Sequence, residues 1–148
     1  MRIALSADHA GYTLKDELVG WLRDQGYEVT DLGTNGPESV DYPEFGRKLA
    51  QVVASGQADR GVAVCGTGIG ISIAINRESK CRCARVDEPL AAALAREHNN
   101  ANVLALGARL IGTEMAKVCV AAFLDTPFGA GRHVPRVAML SPQRQDSD

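Results

Sequence analysis

The sequence contains no uninterrupted apolar stretch long enough to cross a bilayer. Its first apolar run stops at Ser6 and Asp8, too short for the core of a secretory signal, so a cytoplasmic setting is expected. Blocks of like charge are also missing. Sixteen Lys and Arg against 18 Asp and Glu leave a formal charge of -2, which provides neither a broad basic surface for nucleic acid nor a charged interaction tail. Any anion site must therefore be local. Nucleotide-binding signatures are lacking too. The first apolar run leads into Ser6-Ala7-Asp8-His9 instead of glycines, the loop after Cys65 lacks G-x-G-x-x-G spacing, and no phosphate loop ends in Gly-Lys-Ser/Thr.

A disulfide framework is not expected. Cys65, Cys81, Cys83 and Cys119 lie in or beside apolar stretches of an ordinary-sized chain, where reduced thiols are the rule. Cys81 and Cys83 have the two-residue period that points both thiols to one side of a strand, and no second ligand pair accompanies them, so no metal is expected. With 148 residues, 45% of them hydrophobic, one domain can bury roughly two-thirds of its unfolded surface without staples or cofactor.

What is present is alternation. Short apolar runs at 2–6, 27–32, 61–65, 81–86 and 103–106 alternate with helix-like segments, which predicts a mainly parallel five-stranded sheet covered by helices on both faces, an α/β, Rossmann-like sandwich. Leu14, Leu18, Trp21 and Leu22 recur at helical spacing, with Thr13 and Asp16 placed as a capping box and Gly26 at the helix end. Pro43 suits the first turn of a second helix carrying Phe45, Leu49, Val52 and Val53, which should stop near Gly56. Further helices are expected over 71–76, 89–97 and 113–124, and an irregular basic tail from about 125 carries Arg132, His133 and Arg136.

The chemistry gathers after the strands. Gly66-Thr67-Gly68-Ile69-Gly70 follows the third strand at once and precedes a helix, so backbone N–H groups can aim at phosphate or a developing oxyanion. Such turns also serve packing. Cys65 stands directly before those N–H groups, where a partial positive field favours a thiolate able to accept a carbon-bound proton. The alternative is an ordinary buried cysteine. Asp8 and His9 follow the first strand and His98-Asn99 follows a helix, loop positions suited to proton transfer near neutral pH. Arg109, Arg132 and Arg136 could jointly hold a phosphate, or be solvated surface. In open parallel sheets the crevice lies beyond the strands' C-terminal ends, where Asp8, His9, Cys65 and the glycine loop all fall.

Taken together and in order, ADHAGYTLK (7–15), DYP (41–43), CGTGIGISIAIN (65–76), REHNNANVLALGAR (96–109) and GRHVPRV (131–137) resemble the ribose-5-phosphate isomerase B and galactose-6-phosphate isomerase family over about residues 2–140. The resemblance implies a three-layer α/β fold, a homodimer or tetramer whose active sites are shared between subunits, and aldose-ketose isomerisation of a phosphorylated sugar with no metal or nucleotide. It implies Cys65 as the base acting through an enediolate, with the N–H groups of Gly66, Thr67, Gly68, Ile69 and Gly70 on its oxyanion. Thr67 would assist proton transfer and His98 would open the sugar ring. Asp8, Tyr42 and Asn99 would contact hydroxyls, while His9, Arg109, Arg132 and Arg136 would bind or face the phosphate, some from the partner chain. A branch with glutamate as base is set aside, because no acid lies between Cys65 and Ile75.

Two stretches depart from the pattern. Residues 77–86, RESKCRCARV, are less apolar than expected, and Asp87-Glu88-Pro89 differs at the pocket rim. Both bear on substrate preference. Ribose 5-phosphate is the simplest substrate; allose 6-phosphate, galactose 6-phosphate or a tetrulose phosphate are alternatives, and a non-catalytic sugar-phosphate sensor is the rival from another class.

Overall fold

A computed structural model describes residues 1–141. Strands β1 (Arg2–Ala7), β2 (Glu28–Asp31), β3 (Arg60–Cys65), β4 (Cys83–Arg85) and β5 (Val103–Gly107) form one parallel sheet in the order β2-β1-β3-β5-β4. Helices α1 (Tyr12–Asp24), α2 (Tyr42–Ala54), α3 (Ile69–Ile75), α4 (Pro89–Asn99) and α5 (Thr113–Asp125) cover its two faces, and a short α6 (His133–Ala138) follows. This is the expected three-layer α/β sandwich.

Strand alternation sorts side chains by size. Ile3, Leu5, Val62, Val64, Leu104 and Leu106 meet α1, α4 and α5 on one face. The other face presents mostly small residues, Ala4, Ala63, Cys65 and Ala105, to Phe45 and Leu49 of α2 and Ile71 and Ile75 of α3. Small residues let these helices come close: a Cβ on Gly46 would sit 3.0 Å from that of Ala74, and one on Gly61 3.1 Å from the Leu49 side chain. Cys65 thus ends β3 on the tightly packed face.

The connections run both ways from the centre. After β1 the chain adds β2 on one side, and after β3 it builds β5 and β4 on the other. The crevice at such a reversal lies between the C-terminal ends of β1 and β3, where Asp8 and Cys65 emerge.

Several expectations are corrected. The Thr13–Asp16 capping box does not form; α1 starts at Tyr12 with Gly11 as N-cap and no side-chain cap, because the Asp8 carboxylate already accepts from the N–H groups of Ala10 and Gly11 at 2.9 and 3.1 Å. The fourth strand is three residues long, not six, because Asn76 and Asn102 side chains take the backbone groups of residues 80–83 that a longer strand would pair. Cys81 therefore precedes the strand, yet both thiols do face the α2–α3 layer. The chain after Pro127 is not wholly irregular, since α6 occupies His133–Ala138. His98 and Asn99 do not follow α4 but form its last turn, which ends at Asn100 with a φ of 47°.

Candidate active site

The turn after β3 is shaped by its glycines. Gly68 has a φ of 75°, and a Cβ there would lie 2.9 Å from the Leu106 carbonyl carbon, so only glycine fits without strain. The turn folds back so that the Gly68 N–H donates to Cys65 Sγ at 3.1 Å, while the Ile69 N–H donates to Thr67 Oγ1 at 3.2 Å. Cys65 itself is buried.

Other elements close around this turn. Arg109, just after β5, donates its backbone N–H to Gly66 O at 3.0 Å, and its guanidinium lies where a Cβ on Gly66 would be 3.1 Å away. Tyr42 opens α2 and lays its ring over Gly70, where a Cβ would be 2.7 Å from the ring. From the β1 side, His9 Nδ1 accepts the Val40 N–H at 3.2 Å. That leaves Nε2 as the protonated nitrogen of a neutral ring. Asp8 and His9 line a cleft of about 350 Å³ with Asp41, Tyr42 and Arg47. Asp8, His9, Tyr42, Cys65, the 66–70 turn and Arg109 are thus brought together, so that Arg109 stands apart from Arg132 and Arg136, with which the sequence grouped it.

His98, Asn99, Arg132 and Arg136 are not part of that group. Asn100 and Asn102, just beyond α4, bond to Arg82 at the start of β4. The α4 terminus therefore lies at the N-terminal edge of the sheet, whereas Cys65 pairs with Gly107 at the other end of β5. Four strand steps separate Val103 from Gly107, about 13 Å. At this far edge His98 stacks on His133, with ring centroids 4.5 Å apart. Burial first, then His98, Arg132 and Arg136, hold the His133 imidazole below the usual histidine range. Asn99 lines a second cleft, about 370 Å³, with Asn76, Arg82, Cys83 and Leu140. The larger of these two clefts is thus away from Cys65.

Burial pushes the other three thiols up, Cys81 to about 11. None of the three is prepared to act as a thiolate. Among the described residues no group of His, Cys, Asp and Glu is placed to hold a metal ion, and no helix is long and apolar enough to cross a membrane. Sequence reasoning missed two residues. His133 was seen only as part of a basic tail, although GRHVPRV contained it; Arg85 was seen only as a departure, and nothing local marks its partner in the glycine turn.

Comparison with known proteins adds a consistent set of likenesses. A family model described as Ribose/Galactose Isomerase matches residues 3–140. The ribose-5-phosphate isomerase B of Escherichia coli (strain K12) is 44% identical over 144 residues, covering 97% of both chains. The D-erythrulose-4-phosphate isomerase of Pectobacterium atrosepticum is 39% identical, over 95% of this chain and 93% of its own. Among solved structures, the ribose-5-phosphate isomerase B of Clostridium thermocellum superposes with a TM-score of 0.94 at 48% identity, covering 95% of each chain.

Proposed function

The chain belongs to the ribose/galactose isomerase family, and from that premise we propose that it interconverts ribose 5-phosphate and ribulose 5-phosphate with Cys65 as the base. It is a sugar-phosphate aldose-ketose isomerase.

The observation that carries the reading is the Gly68 N–H on Cys65 Sγ at 3.1 Å, at the reversal of the sheet. A proton beside a carbonyl becomes acidic enough to remove only when the enolate oxygen is hydrogen-bonded in a water-poor pocket. The base and the oxyanion donors must be neighbours. In this reading Cys65 takes the proton from C2 of the open-chain aldose, the enediolate forms, and the same thiol returns the proton to C1. The Gly68 and Ile69 N–H groups are engaged by Cys65 and Thr67, so those of Gly66, Thr67 and Gly70 are the donors left for the oxyanion. Thr67 assists transfer between the two oxygens. Asp8 and Tyr42 meet hydroxyls, and Arg109, beside Gly66, faces the phosphate with His9.

His98, Asn99, Arg132 and Arg136 complete the site only if they come from a second copy. A site shared across a two-fold interface accounts for two groups of site residues at opposite sheet edges. His98 would open the sugar ring, Asn99 would contact a hydroxyl, and the two arginines would hold phosphate bidentately. A shorter ketose phosphate is the competing substrate, since an enzyme named for D-erythrulose 4-phosphate is also similar over nearly the whole chain.

The test is initial-rate isomerisation of ribose 5-phosphate beside allose 6-phosphate, galactose 6-phosphate and erythrulose 4-phosphate, with wild-type and Cys65→Ala protein. Turnover of ribose 5-phosphate should fall to background in Cys65→Ala, while the variant still binds the sugar phosphate. Near-native turnover would remove the thiol from its role. Turnover of another sugar alone would keep the mechanism and move the substrate.

A further inference from the structure

Arg85 ends β4 within the stretch that departs from the expected apolar pattern. Its Nε donates to the Thr67 carbonyl oxygen at 2.9 Å, and its guanidinium is paired with Asp87. The Thr67 carbonyl and the Gly68 N–H are the two ends of one peptide unit. That N–H is the group on Cys65 Sγ. Arg85 therefore touches the carbonyl end of the very peptide whose other end touches the thiol.

The unit is clamped in place. Without a Cβ, Gly107 lets the Thr67 backbone lie against β5, where the added atom would be 2.7 Å from the Thr67 carbonyl. A Cβ on Gly68 would fall 3.2 Å from Arg85 Cγ, so the arginine stem is packed under the turn. A charged donor on a carbonyl draws density from the amide nitrogen and strengthens its N–H as a donor, and hydrogen bonds in series reinforce one another.

We propose that Arg85 is a positioning residue for the reaction: it holds and polarises the peptide joining Thr67 to Gly68 so that the Gly68 N–H supports negative charge on the Cys65 sulfur. The catalytic meaning rests on the reading of Cys65 as base; the coupling between Arg85 and the thiol does not. Ionisable groups on the elements around Cys65 are Asp8 and His9 after β1, Tyr42, Glu44, Arg47 and Lys48 on α2, Asp87 beside Arg85, and Arg109 after β5; α3 contributes none. Of the cations, Arg85 is the one hydrogen-bonded to the peptide that touches sulfur.

Two readouts test it in wild type, Arg85→Met and Arg85→Gln. One is the pH profile of kcat/KM for ribose 5-phosphate. The other is the pH dependence of Cys65 alkylation by iodoacetamide, assigned to that residue by peptide mass spectrometry. Arg85→Met should leave KM within about twofold, slow turnover near neutral pH about threefold to tenfold, and move the acid limb and the alkylation midpoint upward together by about half to one pH unit. Arg85→Gln, which keeps a donor and drops the charge, should fall between. It also serves as the deciding variant if Arg85→Met does not fold. Unchanged midpoints in a folded variant overturn the proposal, as does a change in KM alone. If Cys65→Ala turns over normally, the base assignment fails separately, because the alkylation midpoint reports the Arg85 coupling without any turnover.

Discussion

At Gly68 three demands meet on one Cα: a φ of 75°, contact with the Leu106 backbone, and an N–H aimed at sulfur. The first alone makes an alanine there cost about 1–2 kcal/mol. The second adds to it, because the Leu106 carbonyl is backbone and cannot swing aside. Gly68→Ala should therefore lose more than 2 kcal/mol in a urea melt, roughly, and most of its turnover. Gly20 provides the contrast. It lies inside α1 with nothing within 4 Å of an added Cβ, so Gly20→Ala should gain about 0.5–1 kcal/mol in the same melt with unchanged turnover. Both glycines look alike in composition; what separates them is position after a strand against position inside a helical repeat, which the sequence does display. Cys65 and its turn were legible for the same reason, being contiguous. Arg85 was not, because its acceptor is 18 residues away and reaches it only once β4 and β5 pair.

Elements were legible where periodicity was strong and less so where a side chain overrides it. All five strands and the first five helices stand near their expected places. Helix α1 shows the limit. Its apolar stripe was plain, but Lys15 is fully buried, an outcome that no hydropathy pattern suggests. Its Nζ donates to Asp16 at 2.6 Å, to both Asp31 oxygens at 2.7 and 2.8 Å, and to Asn35 at 3.0 Å. One ammonium thus ties α1 to the end of β2 and to the loop that supplies the Val40 N–H to His9. Removing one partner of a buried charge cluster costs about 3 kcal/mol. Lys15→Met should lower Tm by roughly 10 °C, read by circular dichroism. Among survivors at low temperature KM should rise more than kcat falls, since the cluster supports the His9 loop and not Cys65. Helix α4 starts at Pro89 as expected, but its end was misplaced for a related reason: Asn100 adopts a positive φ as C-cap while Arg96 bonds its side chain at 2.9 Å, which carries the helix two residues past the expected stop.

On the scale of the whole molecule the sheet separates what the sequence motifs bring together. One strand direction puts Asp8, Cys65 and Arg109 at the C-terminal edge, and the antiparallel return of α4 puts His98 and Asn99 at the other. Order along the chain reveals this only when the length of β5 is counted. On the proposed reading a single copy holds two half-sites, and two copies related by a two-fold axis would build two whole ones. Cys65→Ala and His98→Ala damage different halves. Each alone should be inactive or nearly so. After unfolding and refolding together in equal amounts, about half of the dimers should be mixed, and each mixed dimer has one site with both native halves and one with neither. Activity should recover to about a quarter of wild type, measured as ribose 5-phosphate turnover per mole of chain. Recovery requires exchange of subunits, so mixing the two folded proteins briefly and without unfolding should give less. If the sites were each built from one chain, the refolded mixture would do no better than the mean of its two parents, and the far-edge histidines would have to act without ever meeting the thiol.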